Sequence, residues 1–361
     1  MESILFNYSS LLCAFLLSIG FIAVSLKPAH RLGWVDAPSH RKHHRRPVPL
    51  TGGIAMCAAF CLSLLLLPEK PHGYATLLTG MILLALVGFY DDLRSTRPAI
   101  RFLFQTSAVL LMIFEGGFVL QDLGNLFGLG AVALGGAATL FTVFSVVGVI
   151  NAFNMMDGLD GLAGGLALIA LAWMIMLNST APAPDSNALL TLIVVITGFL
   201  CFNLRHPWRA RACVFMGDAG STMIGFALGW FMVRLAQDHD HRAAVMMPIT
   251  AVWILALPLL DTVTVMTRRI RAGQSPFAAD RQHLHHLLLR WGLSDGQVTL
   301  ILLLVAVLTG AVGATAYWLD VPEYLQFYAF IAMFLLYYVI TGRLWRRYRC
   351  LNPARPPSPE S

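Results

Sequence analysis

Asn151-Ala-Phe-Asn154-Met-Met-Asp157-Gly-Leu-Asp160-Gly-Leu-Ala-Gly-Gly165 lies between two apolar runs, each long enough to cross a bilayer. The stretch carries two amides, two carboxylates and four glycines. Neither apolar packing nor ordinary loop chemistry needs that combination. An Asp at the centre of a spanning helix costs about 2.5–3.5 kcal/mol on insertion scales. Carboxylates kept beside a membrane therefore point to a metal, a sugar or a phosphate.

The rest of the chain agrees with a membrane setting. Its 361 residues have a mean hydropathy of +0.70, with 57% hydrophobic and 12% charged residues. A soluble domain carries about 25% charged residues, which excludes that class. The net charge of +6 does not imply nucleic acid, because the basic residues flank apolar runs. Cys13, Cys57, Cys61, Cys201, Cys213 and Cys350 show no paired zinc spacing, and they read as packing residues without a disulfide framework. The first apolar run follows Met-Glu-Ser, without the basic start of a cleaved signal, so a retained helix is expected.

At about 20 apolar residues per span, the sequence predicts an all-α polytopic membrane protein with eleven spans. They run near 4–26, 51–67, 74–90, 100–116, 130–150, 161–177, 188–203, 219–236, 244–266, 298–318 and 323–341. Residues 1–341 form one transmembrane catalytic domain, and 342–361 a basic, Pro-rich tail. Segments 27–50, 91–101, 204–218, 267–297 and the tail hold 22 of the 25 Lys and Arg. The positive-inside rule then sets the N-terminus outside and the C-terminus in the cytoplasm. Asp36, Asp91, Asp92, Asp157, Asp160, Asp218, Asp280 and Asp295 fall on the same cytoplasmic side. A transport path would instead place ionisable groups near the midplane.

Six segments carry candidate chemistry. Asp91-Asp92 closes the third span; adjacent like charges raise each other's pKa unless a cation lies beside them. Carboxylates at a helix C-terminus also oppose the macrodipole, against the plain reading of a solvated helix end. Asn154, Asp157 and Asp160 recur every three residues at the expected start of a span, where a first turn would gather them and the dipole favours anions. Capping and small-residue packing would explain one Asp and the glycines, but not four polar side chains. In Val214-Phe-Met-Gly-Asp218-Ala-Gly-Ser221, Asp218 reads equally as an N-cap completed by Ser221. Phe215 is either a base-stacking ring or a core residue.

Asp280-Arg281-Gln-His283-Leu-His285-His286 sits in the longest cytoplasmic loop. With Arg268, Arg269, Arg271 and Arg281 nearby, its histidines suit a pyrophosphate better than a bare cation. Binding of anionic lipid is the plain alternative. The run from His40 to Arg46 reads as a positive-inside anchor at least as well as a catalytic element. Asp261, in Pro258-Leu-Leu-Asp261, lies within the ninth span and is a functional candidate, or the partner of Arg268 or Arg269.

Together, Asp91-Asp92, Asn154 to Gly161, Gly217-Asp-Ala-Gly-Ser221 and the His283/His285/His286 loop resemble the polyprenyl-phosphate N-acetylhexosamine-1-phosphate transferases in content and order. The histidines interrupted by Leu284, the preceding Asp280-Arg-Gln and Pro-Leu-Leu-Asp261 look like the branch that moves N-acetylglucosamine-1-phosphate onto undecaprenyl phosphate. The resemblance implies a UDP-sugar donor, an undecaprenyl phosphate acceptor, a Mg2+ or Mn2+ cofactor and release of UMP at a bacterial inner membrane. That is the step that starts O-antigen or other surface polysaccharides. It further implies Asp91, Asp92 and Asp218 as catalytic residues, with Asp218 and Asp91 on the metal. Arg46, Asn154, Asp157, Asp160, Phe215, Arg281, His283, His285 and His286 would line the substrates, with Phe215 and Asp160 near the uridine. No nucleic-acid partner is expected, and a homodimer is compatible with the reading. The alternatives are a sister enzyme using another UDP-N-acetylhexosamine or UDP-MurNAc-pentapeptide, and, in a different class, a lipid-linked sugar transporter.

Overall fold

The computed structural model describes residues 2–37, 47–178, 183–205, 209, 211–238, 244–275 and 282–351. Its helices are α1 (Glu2–Leu32), α2 (Gly52–Leu66), α3 (Tyr74–Arg94), α4 (Pro98–Phe114), α5 (Ala138–Met156), α6 (Leu162–Leu177), α7 (Ala183–Asn203), α8 (Gly217–Ala236), α9 (Pro248–Ile254), α10 (Ala256–Arg271), α11 (Leu284–Arg290), α12 (Asp295–Trp318) and α13 (Glu323–Leu351). A two-residue antiparallel pair, β1 (Val35–Asp36) with β2 (Val48–Pro49), closes the segment between α1 and α2.

Each expected span falls on a helix or, for the ninth, on the pair α9 and α10. Among the described residues seven helices are long and apolar enough to cross a membrane, and the bent pair would make an eighth. Gly52–Leu66, Pro98–Phe114 and Leu162–Leu177 are apolar but shorter. The protein is an all-α, multi-pass membrane protein. The α9–α10 axis turns by 81° at Leu255. Pro258 follows that break, and its missing N–H leaves the Ile254 carbonyl without an intrahelical donor, one of the recognised causes of a kink. α13 continues to Leu351, through the first half of the segment assigned to the tail, and Trp345 Nε1 donates to the Gln282 carbonyl at 3.1 Å.

α8 is the central post. Every residue from Ala219 to Ala236 is buried, against only 11% of the outer helix α13 and 17% of α1. Gly220, Gly225 and Gly229 keep the surface of α8 small, the usual device for close helix contact in lipid. Gly88 of α3 shows how close: a Cβ there would lie 2.6 Å from Ala219 Cα and 2.6 Å from the Asp218 carbonyl carbon. That approach sets α3, and the carboxylates that end it, against the first turn of α8.

The end of the bundle away from those carboxylates is closed by polar ties. Gln237 Oε1 accepts the Gln121 N–H at 2.8 Å, and the Glu323 carboxylate accepts the Asn125 N–H. Arg234 pairs with Asp185 at 2.9 Å, both buried. The Gln237 and Glu323 bonds join the Gly-rich segment between α4 and α5 to the end of α8 and to α13, and the Arg234–Asp185 pair joins α8 to α7.

Candidate active site

Three chain turns meet at the first turn of α8. Asp92, from the end of α3, accepts the Asp218 N–H at 2.8 Å and the Ala219 N–H at 3.3 Å. Asp157 lies beside the Gly217 N–H. Asp92 thus takes two free amides of a helix start, and both carboxylates meet the positive end of the dipole. Gly217 enters the helix at φ +68°, a region that favours glycine, and a Cβ there would reach 2.4 Å from Asp92 Oδ2.

Asp218 belongs to the helix itself. Met216 precedes α8 without a side-chain cap, and Ser221 Oγ donates back to the Gly217 carbonyl at 3.0 Å. The N-cap alternative for Asp218 and Ser221 is therefore set aside. Asp218 Oδ1 accepts from Asn154 Nδ2 at 2.7 Å, and the same amide reaches Ser221 Oγ at 3.0 Å. Asp218 Oδ2 lies 3.6 Å from Arg101 Nη1, which also pairs with Asp91 Oδ2 at 3.1 Å. Asp91 Oδ1 accepts from the Thr96 backbone and hydroxyl. So Asp91, Asp92, Asn154, Asp157 and Asp218 form one cluster, with the Arg101 guanidinium against two of its carboxylates.

The Asn154 segment corrects one expectation. It ends α5 instead of beginning a span; Asp157 is the C-cap, and α6 starts only at Leu162. The helix continues through its polar residues because they find partners in neighbouring helices. Asn151 Nδ2 donates to Gln105 Oε1 on α4 at 2.8 Å, and Asn154 reaches Asp218. The turn after it is fixed from outside: Gly161 N–H donates to Asn203 Oδ1 at 2.7 Å, and Asn203 Nδ2 donates to the Val214 carbonyl at 2.9 Å. Asp160 points away from the cluster, into Arg205 at 2.6 Å, and Arg205 reaches on to Asp295 at 2.7 Å.

The histidine segment packs over the same turn. A Cβ on Gly158 would lie 2.7 Å from His285 Nε2, so this ring rests on the backbone beside Asp157. His283 and His285 are parallel at 5.7 Å, and His285 and His286 are 4.1 Å apart. Asp261 accepts from His283, while Arg268 bonds the Tyr338 carbonyl and Thr341. Phe215 is half-buried, with its backbone paired to Pro49 at 2.8 Å and to Gly52 at 3.1 Å. Arg46 and Arg281 lie outside the described residues. In the sequence Arg101 is only one of the basic residues counted in segment 91–101. The structure sets it in the first turn of α4, ten residues beyond Asp91, where it reaches the acids.

Two groups outside the spans show how the site departs from water. Burial, with the charges of Asp218 and Asp160, pushes the Asp157 carboxyl up to about 7, against the Gly217 N–H beside it. Burial pushes the His285 imidazole down to about 4, opposed by the attraction of Asp261. The fold thus favours neutral His285. The stability this contributes is full above the unfolded value near 6.5 and is lost as pH falls through about 4. His285→Gln should reduce the drop in melting temperature between pH 7 and pH 5 in detergent. An unchanged drop would mean that other groups cause it.

Among the described residues no three His, Cys, Asp or Glu side chains could hold a metal ion by themselves. Asp91 and Asp218, neighbours with Arg101 against both, offer two carboxylates. That fits Mg2+, which takes one or two carboxylates and completes its shell with water and substrate phosphate.

A sequence profile described as glycosyl transferase family 4 matches residues 74–236, which contain the whole acidic cluster. Full-length relatives decide the matter. A Yersinia pestis protein named undecaprenyl-phosphate alpha-N-acetylglucosaminyl 1-phosphate transferase is 36% identical over 340 residues, 94% of this chain and 92% of its own length. Proteins of the same name from Pasteurella multocida and Escherichia coli K12 are 38% identical over 328 residues and 36% over 344. The chain belongs to glycosyl transferase family 4. The family match runs from α3 to the end of α8, so it spans the two helices whose contact builds the acidic cluster. The histidine helix lies beyond it, within the stretch shared with the full-length relatives.

Proposed function

We propose that this family 4 transferase moves N-acetylglucosamine-1-phosphate from UDP-N-acetylglucosamine to undecaprenyl phosphate and releases UMP. The observation that carries the reading is the meeting of Asp91, Asp92, Asp157 and Asp218 with Arg101 and Asn154 at the start of α8. The likeness to the named transferases supports the substrates. On this reading the protein crosses a bacterial inner membrane eleven times, with its N-terminus outside. The cluster then faces the cytoplasm, and the product enters O-antigen or related surface-polysaccharide synthesis.

The reaction joins two anions. A lipid phosphate oxygen bonds to the sugar-linked phosphorus, the bridging P–O bond breaks, and UMP leaves with the electron pair. At 4 Å and an effective dielectric near 20, each unit-charge pair repels by about 4 kcal/mol. Charge neutralisation therefore dominates, with in-line alignment second. Mg2+ or Mn2+ would be held by Asp218 and Asp91 and would supply positive charge to the donor pyrophosphate. Arg101 adds a fixed cation beside both carboxylates. Asn154 holds Asp218 in place, and Asp92 and Asp157 fix the start of α8. The nucleophile needs little help from a base, because a phosphate monoester loses its second proton near pH 6. On this reading His283, His285 and His286 meet the donor phosphates, Phe215 and Asp160 lie near the uridine, and Arg46 and Arg281, outside the described residues, belong to the substrate-binding set.

A donor panel tests the substrate. In detergent with undecaprenyl phosphate, UDP-N-acetylglucosamine should give the highest kcat/KM for UMP release. Preference for UDP-MurNAc-pentapeptide or another UDP-N-acetylhexosamine would move the protein to a sister activity. No UMP from any donor would end the transferase reading.

A further inference from the structure

Asp261 is buried in the second turn of α10, on the far side of the 81° break, and it lies outside the acidic cluster. Its carboxylate collects three donors from two other parts of the chain. Oδ2 is 2.7 Å from His283 Nδ1; Oδ1 accepts the Leu284 N–H at 2.9 Å and the Tyr337 hydroxyl of α13 at 2.8 Å. Arg268, later in α10, turns to the Tyr338 carbonyl and Thr341 on α13. A carboxylate only accepts, so His283 Nδ1 carries a proton and donates it to Asp261.

These bonds do for α11 what its own sequence does not. Seven residues make a marginal helix. Its N-cap, His283, makes no side-chain cap bond, and Asp261 takes the Leu284 amide in its place. Trp345 holds the preceding Gln282 carbonyl from the other side. The ring of His283 then lies parallel to that of His285, which rests on Gly158 and whose buried Nδ1 has no hydrogen-bond partner. The orientation of one ring is thus passed to the turn that carries Asp157.

We infer that Asp261 and Tyr337 are positioning residues: they fix the tautomer and angle of His283 and so hold the histidine helix against the Asp157–Gly158 turn. The inference rests on the reading that this helix meets the donor.

The test measures kcat and KM for UDP-N-acetylglucosamine, per folded enzyme, in Asp261→Asn, Tyr337→Phe, His283→Ala and the Asp261→Asn/His283→Ala double variant. Asp261→Asn should lower kcat/KM by about 10- to 100-fold, as loss of an orienting partner does. Tyr337→Phe should lower it by about 3- to 10-fold, and Asp261→Glu should recover part of the loss. The double variant should be within about 2-fold of His283→Ala, because the two residues act as one unit. Multiplying losses would overturn the inference, as would a lowered melting temperature with unchanged kcat and KM. If Asp261→Asn does not fold, Tyr337→Phe decides: wild-type kinetics there overturns it. His283→Ala with wild-type kinetics would remove the donor role of the helix itself. An inactive His283→Ala beside fully active Asp261→Asn and Tyr337→Phe would remove only the positioning role.

Discussion

Asp218→Asn should lower UMP release by about 10³-fold while the melting temperature holds or rises. The activity loss follows from electrostatics: a preorganised charge at the reacting phosphates contributes about 10²–10³ in rate in comparable sites. The stability effect has the opposite sign. Asp91, Asp92, Asp157 and Asp218 are crowded around one helix start, with Arg101 against two of them. Asn keeps the size of the side chain and its oxygen for Asn154, and it removes one of the repelling charges. A site kept for function at a cost in stability behaves in this way. Steady-state UMP release and thermal unfolding in detergent read the two effects separately. Near-normal turnover would take Asp218 out of the chemistry.

Gly88→Ala should be nearly as damaging, through packing alone. The added Cβ would come within 2.6 Å of the Ala219 Cα, the Ala219 nitrogen and the Asp218 carbonyl carbon. All three are backbone atoms, so the helices must part. Asp92 lies one turn further along α3 and bonds the same two amides of α8. Misplacing the carboxylates by about 1 Å is expected to cost about 10²-fold in rate, and overpacking about 1–3 kcal/mol in stability. Gly148→Ala is the control: nothing lies within 4 Å of its Cβ, and activity and melting temperature should both hold. Equal losses in the two variants would mean that helix flexibility, not the α3–α8 contact, matters.

Much of this arrangement could be read from the chain. Apolar runs of bilayer length located the long helices, although α5 begins at Ala138 where the span was expected from 130, and α13 runs on to Leu351. The acidic segments stood out because carboxylates next to hydrocarbon are costly. What could not be read was which polar group meets which. The Asn154 segment looked like a helix start because the preceding apolar run ends near 150 and the next begins near 161. Gln105 and Asp218, its partners, are 46 and 64 residues from Asn151 and Asn154, and they let α5 run on to Met156. Asp261 had two arginines within a helical turn or two, yet its partners are His283 and Tyr337, brought by the α11 segment and α13. Asp160, grouped by spacing with Asp157, is turned by the bend after α5 toward Arg205. Arg101 was hidden in a count of basic residues, where charge told its side of the membrane but not its neighbour.

The divalent-ion dependence of UMP release from purified protein, with UDP-N-acetylglucosamine and undecaprenyl phosphate in detergent, tests most directly whether the carboxylates at the start of α8 let two phosphates meet. Turnover should vanish in excess chelator, return on titration with Mg2+, and fail to return in Asp218→Asn. Undiminished turnover with every divalent cation chelated would contradict it.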